Sequence, residues 1–154
     1  NIIRMSRIAV FPGSFDPFTK GHEDIVRRSL NLFDKVIIAI GNNSQKNRYF
    51  DIDFIVPKIE QCFLDTKNVE VVVFKGLTAD FAKECNANFL IRGLRNTTDF
   101  EYENSISQAN KYLWKDLETV FMITSPHLAY ISSSLIRDIH KYNGDVSGFL
   151  PYEL

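Results

Sequence analysis

The stretch Phe11-Pro12-Gly13-Ser14-Phe15-Asp16-Pro17-Phe18-Thr19-Lys20-Gly21-His22 joins two prolines and two glycines, which fix the path of a loop, to the hydrogen-bonding side chains of Ser14, Thr19 and His22. A helical pattern follows, so these side chains would lie beside the free N–H groups of a helix start, a setting suited to a phosphate. The same residues also suit a structural turn in which Thr19 caps the helix and His22 is at the surface. The glycine and lysine spacings of G-x-G-x-x-G and Walker loops are both absent, which disfavours a Rossmann oxidoreductase. Three further places hold anion-binding residue types: Lys46 in the polar loop Gly41-Asn42-Asn43-Ser44-Gln45-Lys46-Asn47-Arg48, Arg92 at the end of an apolar run with Arg95 beyond it, and the triplet Ser132-Ser133-Ser134. Lysine brings a mobile point charge, arginine a fixed fork, and the serines neutral donors that can equally cap a helix.

Parallel strands separated by helices would bring these places together. Apolar runs rich in β-branched residues recur at 7–11, 35–40, 69–74, 88–91 and 119–123, and each suits a strand. Most are continuously apolar, the pattern of a parallel sheet covered on both faces. Helical periodicity predicts helices at about 21–32, 51–64, 78–85, from about 98 onward, and from the 132–134 triplet to about 142, where Asn143-Gly144 stops the chain. Pro57 is expected near the opening turn of the second helix, where a missing N–H does least harm. Thr98-Asp99-Phe100-Glu101 has the form of a capping box, and Tyr102, Ile106, Ala109 and Leu113 then repeat as one apolar face. The expected fold is α/β: a single-domain, doubly wound, five-stranded parallel sheet spanning 1–154, with ligands beyond the carboxyl ends of the strands. Residues 1–4, before Met5, read as an added or an upstream remnant.

Composition narrows the partners. Across 154 residues, 18 Lys and Arg stand against 19 Asp and Glu, which argues against a scaffold holding a long polyanion such as nucleic acid. Any small anion must be met by locally placed charge. Two cysteines without a CxxC pair support neither a disulfide framework nor a thiolate zinc site. No apolar run is long enough for a signal-peptide core or a membrane span, so a cytoplasmic protein is expected. His127 and His140 are expected to be loop and helix-surface residues, and Asp16 to close a local Asx-turn.

The Gly13-to-Pro17 turn followed by Thr19-Lys20-Gly21-His22, together with Ile131-Ser132-Ser133-Ser134, resembles the two signatures of the nucleotidyltransferase superfamily. Leu90-Ile91-Arg92-Gly93-Leu94-Arg95, with Asp99-Phe100-Glu101-Tyr102-Glu103, resembles its phosphopantetheine adenylyltransferase family in particular, and the likeness runs from Arg7 to Pro151. The resemblance implies a Rossmann-like nucleotidyltransferase fold and transfer of adenylyl from ATP to 4'-phosphopantetheine, giving dephospho-coenzyme A and pyrophosphate. It also implies Mg2+ with the nucleotide, a homohexamer, and feedback by coenzyme A.

Position by position, the resemblance makes His22 the group that contacts the α-phosphate, and Lys46, with Ser14 and Arg92, the holders of the nucleophilic phosphate. Arg95 and Ser132 to Ser134 would hold the β- and γ-phosphates, and Phe15, Gly93, Leu94 and Glu103 would belong to the same ATP site. Leu128, Ala129, Tyr130 and Ile131 would enclose the adenine. Thr78 matches a position along the pantetheine arm and equally suits the N-cap of its helix. No protein metal ligand is expected.

Ser14 and Phe11 stand where the family commonly has Thr and Tyr, and Phe54 and Ile55 stand near a frequent Glu-Arg pair. The competing readings are a nicotinate or nicotinamide mononucleotide adenylyltransferase, whose usual His is replaced here by Thr19, and a non-catalytic nucleotide sensor.

Overall fold

A computed structural model describes residues 5–42 and 47–154. Five strands, β1 (Ile8–Gly13), β2 (Lys35–Gly41), β3 (Val69–Phe74), β4 (Phe89–Leu94) and β5 (Glu118–Ile123), alternate with α1 (Lys20–Ser29), α2 (Ile52–Cys62), α3 (Thr78–Glu84) and α4 (Thr97–Leu113), and α5 (Ser133–Lys141) follows β5. All strand pairs are parallel, in the order β3-β2-β1-β4-β5. The order reverses between β1 and β4, and at that switch point the loops after both strands open into a crevice.

Alternate residues of the central strands supply two cores. Phe11, Val36, Ile38, Ile40 and Ile91 pack with Ile25, Val26, Ile55, Ile59 and Ile136 of α1, α2 and α5. Val10, Ile37, Ala39 and Leu90 face the other way, onto Ala79 and Ala82 of α3 and onto Leu117. The expectation of strands covered on both faces therefore holds best for β1 and β2, whose interiors are buried throughout, and least for the edge strand β3, where Glu70 and Val73 are exposed. At the end of α5, Asn143 adopts φ of 61°, and the Gly144 N–H donates to the Ile139 carbonyl at 2.9 Å. A Cβ on Gly144 would lie 2.4 Å from Ile139 Cγ2, so only glycine closes this turn. Among the described residues no helix is long and apolar enough to cross a membrane.

Four local expectations are corrected. Pro57 lies in the middle of α2 rather than near its opening turn; the proline and Asp53, whose carbonyl loses a donor, are both exposed, so water can replace the bond. The cap of α4 is Asn96, whose side chain accepts from the Asp99 N–H at 2.8 Å, not a Thr98 box. The apolar face of α4 is not part of the chain's own core: Tyr102 and Leu113 are exposed, and only Glu103 of the helix is buried. The Asp16 side chain closes no Asx-turn but accepts from the backbone N–H groups of Tyr49 and Phe50 at 2.8 and 2.7 Å.

Candidate active site at the β1–β4 switch point

Thr19 caps α1, and His22 occupies the third helical position. The Thr19 N–H donates to His22 Nδ1 at 2.9 Å, and the His22 N–H donates back to Thr19 Oγ1 at 3.3 Å. The capping role considered for Thr19 is thus real, and it orients the histidine instead of competing with it. With Nδ1 occupied as an acceptor, the ring proton of neutral His22 resides on Nε2. Phe11, Phe15 and Phe18 surround the ring at centroid distances of 6.1, 5.0 and 5.4 Å. Gly13 leaves room for this cage, since a Cβ there would come within 3.0 Å of the Phe15 ring. Desolvation by this cage, reinforced by the charges of Arg92 and Arg95, lowers the His22 pKa to about 3. In the free protein the imidazole is a neutral donor.

This has a measurable consequence for stability. Between about pH 6.5 and 3 the unfolded chain protonates His22 while the folded chain does not, so stability falls as pH falls through that window. The parent is expected to lose up to about 1.4 kcal/mol per pH unit more than a His22→Gln variant in urea unfolding. Parallel pH curves for the two proteins would show that His22 is not held neutral.

His22 lines a cavity of about 350 Å3, together with Ser14, Phe15, Gly93, Arg95, Glu103, Leu128, Ile131 and Ser132 to Ser134. A second cavity of about 300 Å3 lies beside it and is lined by Thr78, Gly41, Phe74, Tyr102 and Ile106. Pro12, Gly13, Arg92 and Glu103 line both. At this boundary Arg92 Nε and Nη2 donate to Glu103 Oε2 and Oε1 at 2.8 and 2.5 Å, and Nη1 donates to the Pro12 carbonyl. Arg95 pairs with Asp99, whose carboxyl is held below its usual pKa by the hydrogen bond from Arg95.

The serines divide their work. Ser132 caps α5 by accepting from the Leu135 N–H at 3.1 Å, Ser133 donates to the Pro17 carbonyl at 2.8 Å, and Ser134 accepts from Arg137 at 3.2 Å. Capping and cavity lining therefore coexist in one triplet.

Other expected site residues fall elsewhere. Leu94, Ala129 and Tyr130 are not among the residues lining either cavity; Tyr130 is exposed, with its ring against Phe149. Thr78 is the first residue of α3, and Leu77 holds the cap position, so the capping alternative for Thr78 falls away. Lys46 lies outside the described residues. His127 is exposed, and the His140 ring meets the Tyr49 hydroxyl at 2.7 Å.

Sequence reasoning assigned no role to Arg137 or Thr124, which also line the larger cavity. Arg137 follows Ser134 by three residues, one helical turn on, and that spacing was the available signal. Thr124 had none: it is buried just past β5, beside Gly93 and with its N–H on the Leu94 carbonyl, a placement set by the β4–β5 pairing.

Residues 10–139 match the cytidylyltransferase-like family. A phosphopantetheine adenylyltransferase of Cytophaga hutchinsonii is 87% identical over 97% of this chain and all of its own length. The chain belongs to the phosphopantetheine adenylyltransferase family. A family member from Clostridium perfringens is 47% identical over 96% of this chain and 90% of its own. The fold also recurs in a bifunctional NMN adenylyltransferase/ADP ribose pyrophosphatase of Francisella tularensis, with a TM-score of 0.70 at 20% identity. That match covers 96% of this chain but 45% of the solved one, so the present chain spans just under half of that larger protein. The chain is a nucleotidyltransferase, and its two cavities lie at the strand ends.

Proposed function

We propose that the chain transfers adenylyl from ATP to 4'-phosphopantetheine, yielding dephospho-coenzyme A and pyrophosphate, a step of coenzyme A biosynthesis. The observation that carries this reading is the pair of cavities sharing Arg92, Glu103, Pro12 and Gly13, because direct transfer between two bound molecules needs their reacting ends at one boundary. The larger cavity suits the nucleotide, with Gly93, Leu128 and Ile131 around the base and Arg95 and the serine triplet at the β- and γ-phosphates. The smaller suits the pantetheine arm, which Thr78, Tyr102 and Ile106 would line.

The phosphate monoester is already an anionic nucleophile, so no general base is required. One of its oxygens, held by Arg92, Ser14 and Lys46, attacks the α-phosphorus. A P–O bond forms there while the bond to the bridging oxygen breaks, and that oxygen leaves with pyrophosphate. His22 Nε2–H donates to an α-phosphate oxygen as charge gathers on it.

The carboxylates lining this crevice are engaged: Asp99 by Arg95 and Glu103 by Arg92. Among the described residues no cluster of metal-ligating side chains forms a site. Mg2+ is read as entering with ATP as part of the substrate, since a cation held by phosphate oxygens needs few protein ligands of its own. The exposed Phe100, Tyr102, Tyr112 and Leu113 of α4 favour a homo-oligomer, with the family's hexamer as the expected form. A cytoplasmic, single-domain enzyme with feedback by coenzyme A completes the reading.

The test is pyrophosphate release from ATP with either 4'-phosphopantetheine or nicotinate mononucleotide as acceptor. Turnover with the first is expected. Turnover with the second alone would overturn the reading in favour of the mononucleotide enzyme, and nucleotide binding without turnover would favour a sensor.

A further inference from the structure

Phe15 is a bulky, buried side chain on a backbone with φ of 47°, in the left-handed region that ordinary L-residues avoid. Something outside the turn must hold it there. Arg48, 33 positions further along the chain, donates to the Phe15 carbonyl at 3.2 Å through Nη2 and to the Ser14 carbonyl at 2.6 Å through Nη1. Its Nε donates to the Phe50 carbonyl at 3.0 Å, so the fork is anchored at its base. The Arg48 side chain is 13% exposed. Asp16 completes the connection in the opposite direction, since its carboxylate accepts the N–H groups of Tyr49 and Phe50 and lies 4.0 Å from Arg48 Nη2. The Phe15 ring then stands edge-on to the His22 ring, with centroids 5.0 Å apart and planes at 90°.

We propose that Arg48 and Asp16 are positioning residues for the transfer reaction: they lock Phe15 in its left-handed conformation, and the Phe15 ring sets the orientation of His22. The proposal rests on the reading of His22 as the group that donates to the α-phosphate. Arg48 acts without touching the nucleotide: it is not among the residues lining the cavity that holds His22, and its Nε, Nη1 and Nη2 each donate to a backbone carbonyl of the loops it ties together. Side-chain placement matters at this level because displacing a donor by about 1 Å can lower a rate by about 100-fold while ground-state binding is little altered.

The test is steady-state kinetics of Arg48→Ala and Arg48→Lys beside the parent enzyme, with both substrates varied and thermal unfolding recorded for each protein. Arg48→Ala is expected to lower kcat about 10- to 100-fold with KM for ATP changed less than about threefold. Arg48→Lys, which keeps the charge and can reach only part of the carbonyl set, is expected to recover part of kcat. Parental kcat in a folded Arg48→Ala protein would overturn the proposal. A loss confined to KM for ATP would also overturn it, because that is the mark of a direct phosphate ligand. Should the alanine variant fail to fold, Asp16→Asn decides: it keeps one acceptor oxygen, and parental kcat in it would sink the proposal. An inactive parent would instead count against the proposed function.

Discussion

Replacing His22 by alanine is expected to lower kcat by about 100- to 1,000-fold while KM for ATP changes little. The size follows from the kind of interaction lost. His22 offers one hydrogen bond from a rigid, desolvated ring, and a single preorganised donor of this kind is worth about 3 to 4 kcal/mol toward charge that develops only in the transition state. The ring needs no proton exchange for this role, since the Thr19 N–H occupies Nδ1 and the depressed pKa keeps the group neutral. Accordingly kcat/KM, which reports ionisations of the free enzyme, is expected to show no His22 step between pH 5 and 8. His22→Asn retains an N–H donor on a shorter side chain and is expected to lie between alanine and the parent. Pyrophosphate release under saturating substrates measures all three. Parental kcat in His22→Ala would remove His22 from the mechanism.

The sequence made the sheet and the motif loops legible because both are written locally. Runs such as 35–40 and 69–74 are apolar and β-branched, and in the structure they are β2, one residue longer, and β3, with the same bounds. Thr19 and His22 sit three apart, so their capping relation is a local feature too. What escaped was set by distance along the chain. Asp16 looked like a turn former because its residue type commonly is one, yet its acceptors serve Tyr49 and Phe50, 33 and 34 residues away. The stripe through Tyr102 and Leu113 predicted a helix correctly, but periodicity reports which face is apolar and not what covers it. Arg92 and Glu103 were each expected to meet a substrate, and nothing in their types or spacing of 11 indicated that they meet each other first.

That pairing determines what loss of Arg92 should do. The Glu103 side chain is 9% exposed and the Arg92 side chain 28%, so the carboxylate depends on the guanidinium for compensation more than the reverse. Arg92→Ala strands a buried carboxylate and removes the donor to the Pro12 carbonyl, and is expected to lower unfolding free energy by about 3 kcal/mol. An Arg92→Met/Glu103→Leu double variant removes both charges and fills similar volume, so most of that stability should return. Activity should not return with it. Three of the five guanidinium N–H groups are committed to Glu103 and Pro12 in the free protein, which leaves two for an incoming phosphate. With no guanidinium at the boundary of the two cavities, kcat/KM for 4'-phosphopantetheine is expected to fall at least 100-fold in the single and the double variant alike. Urea unfolding and initial rates on the same protein preparations separate the two effects. A double variant that regained both stability and rate would mean that Arg92 serves only to neutralise Glu103, and the nucleophilic phosphate would then have to be held by Ser14 and Lys46 without it.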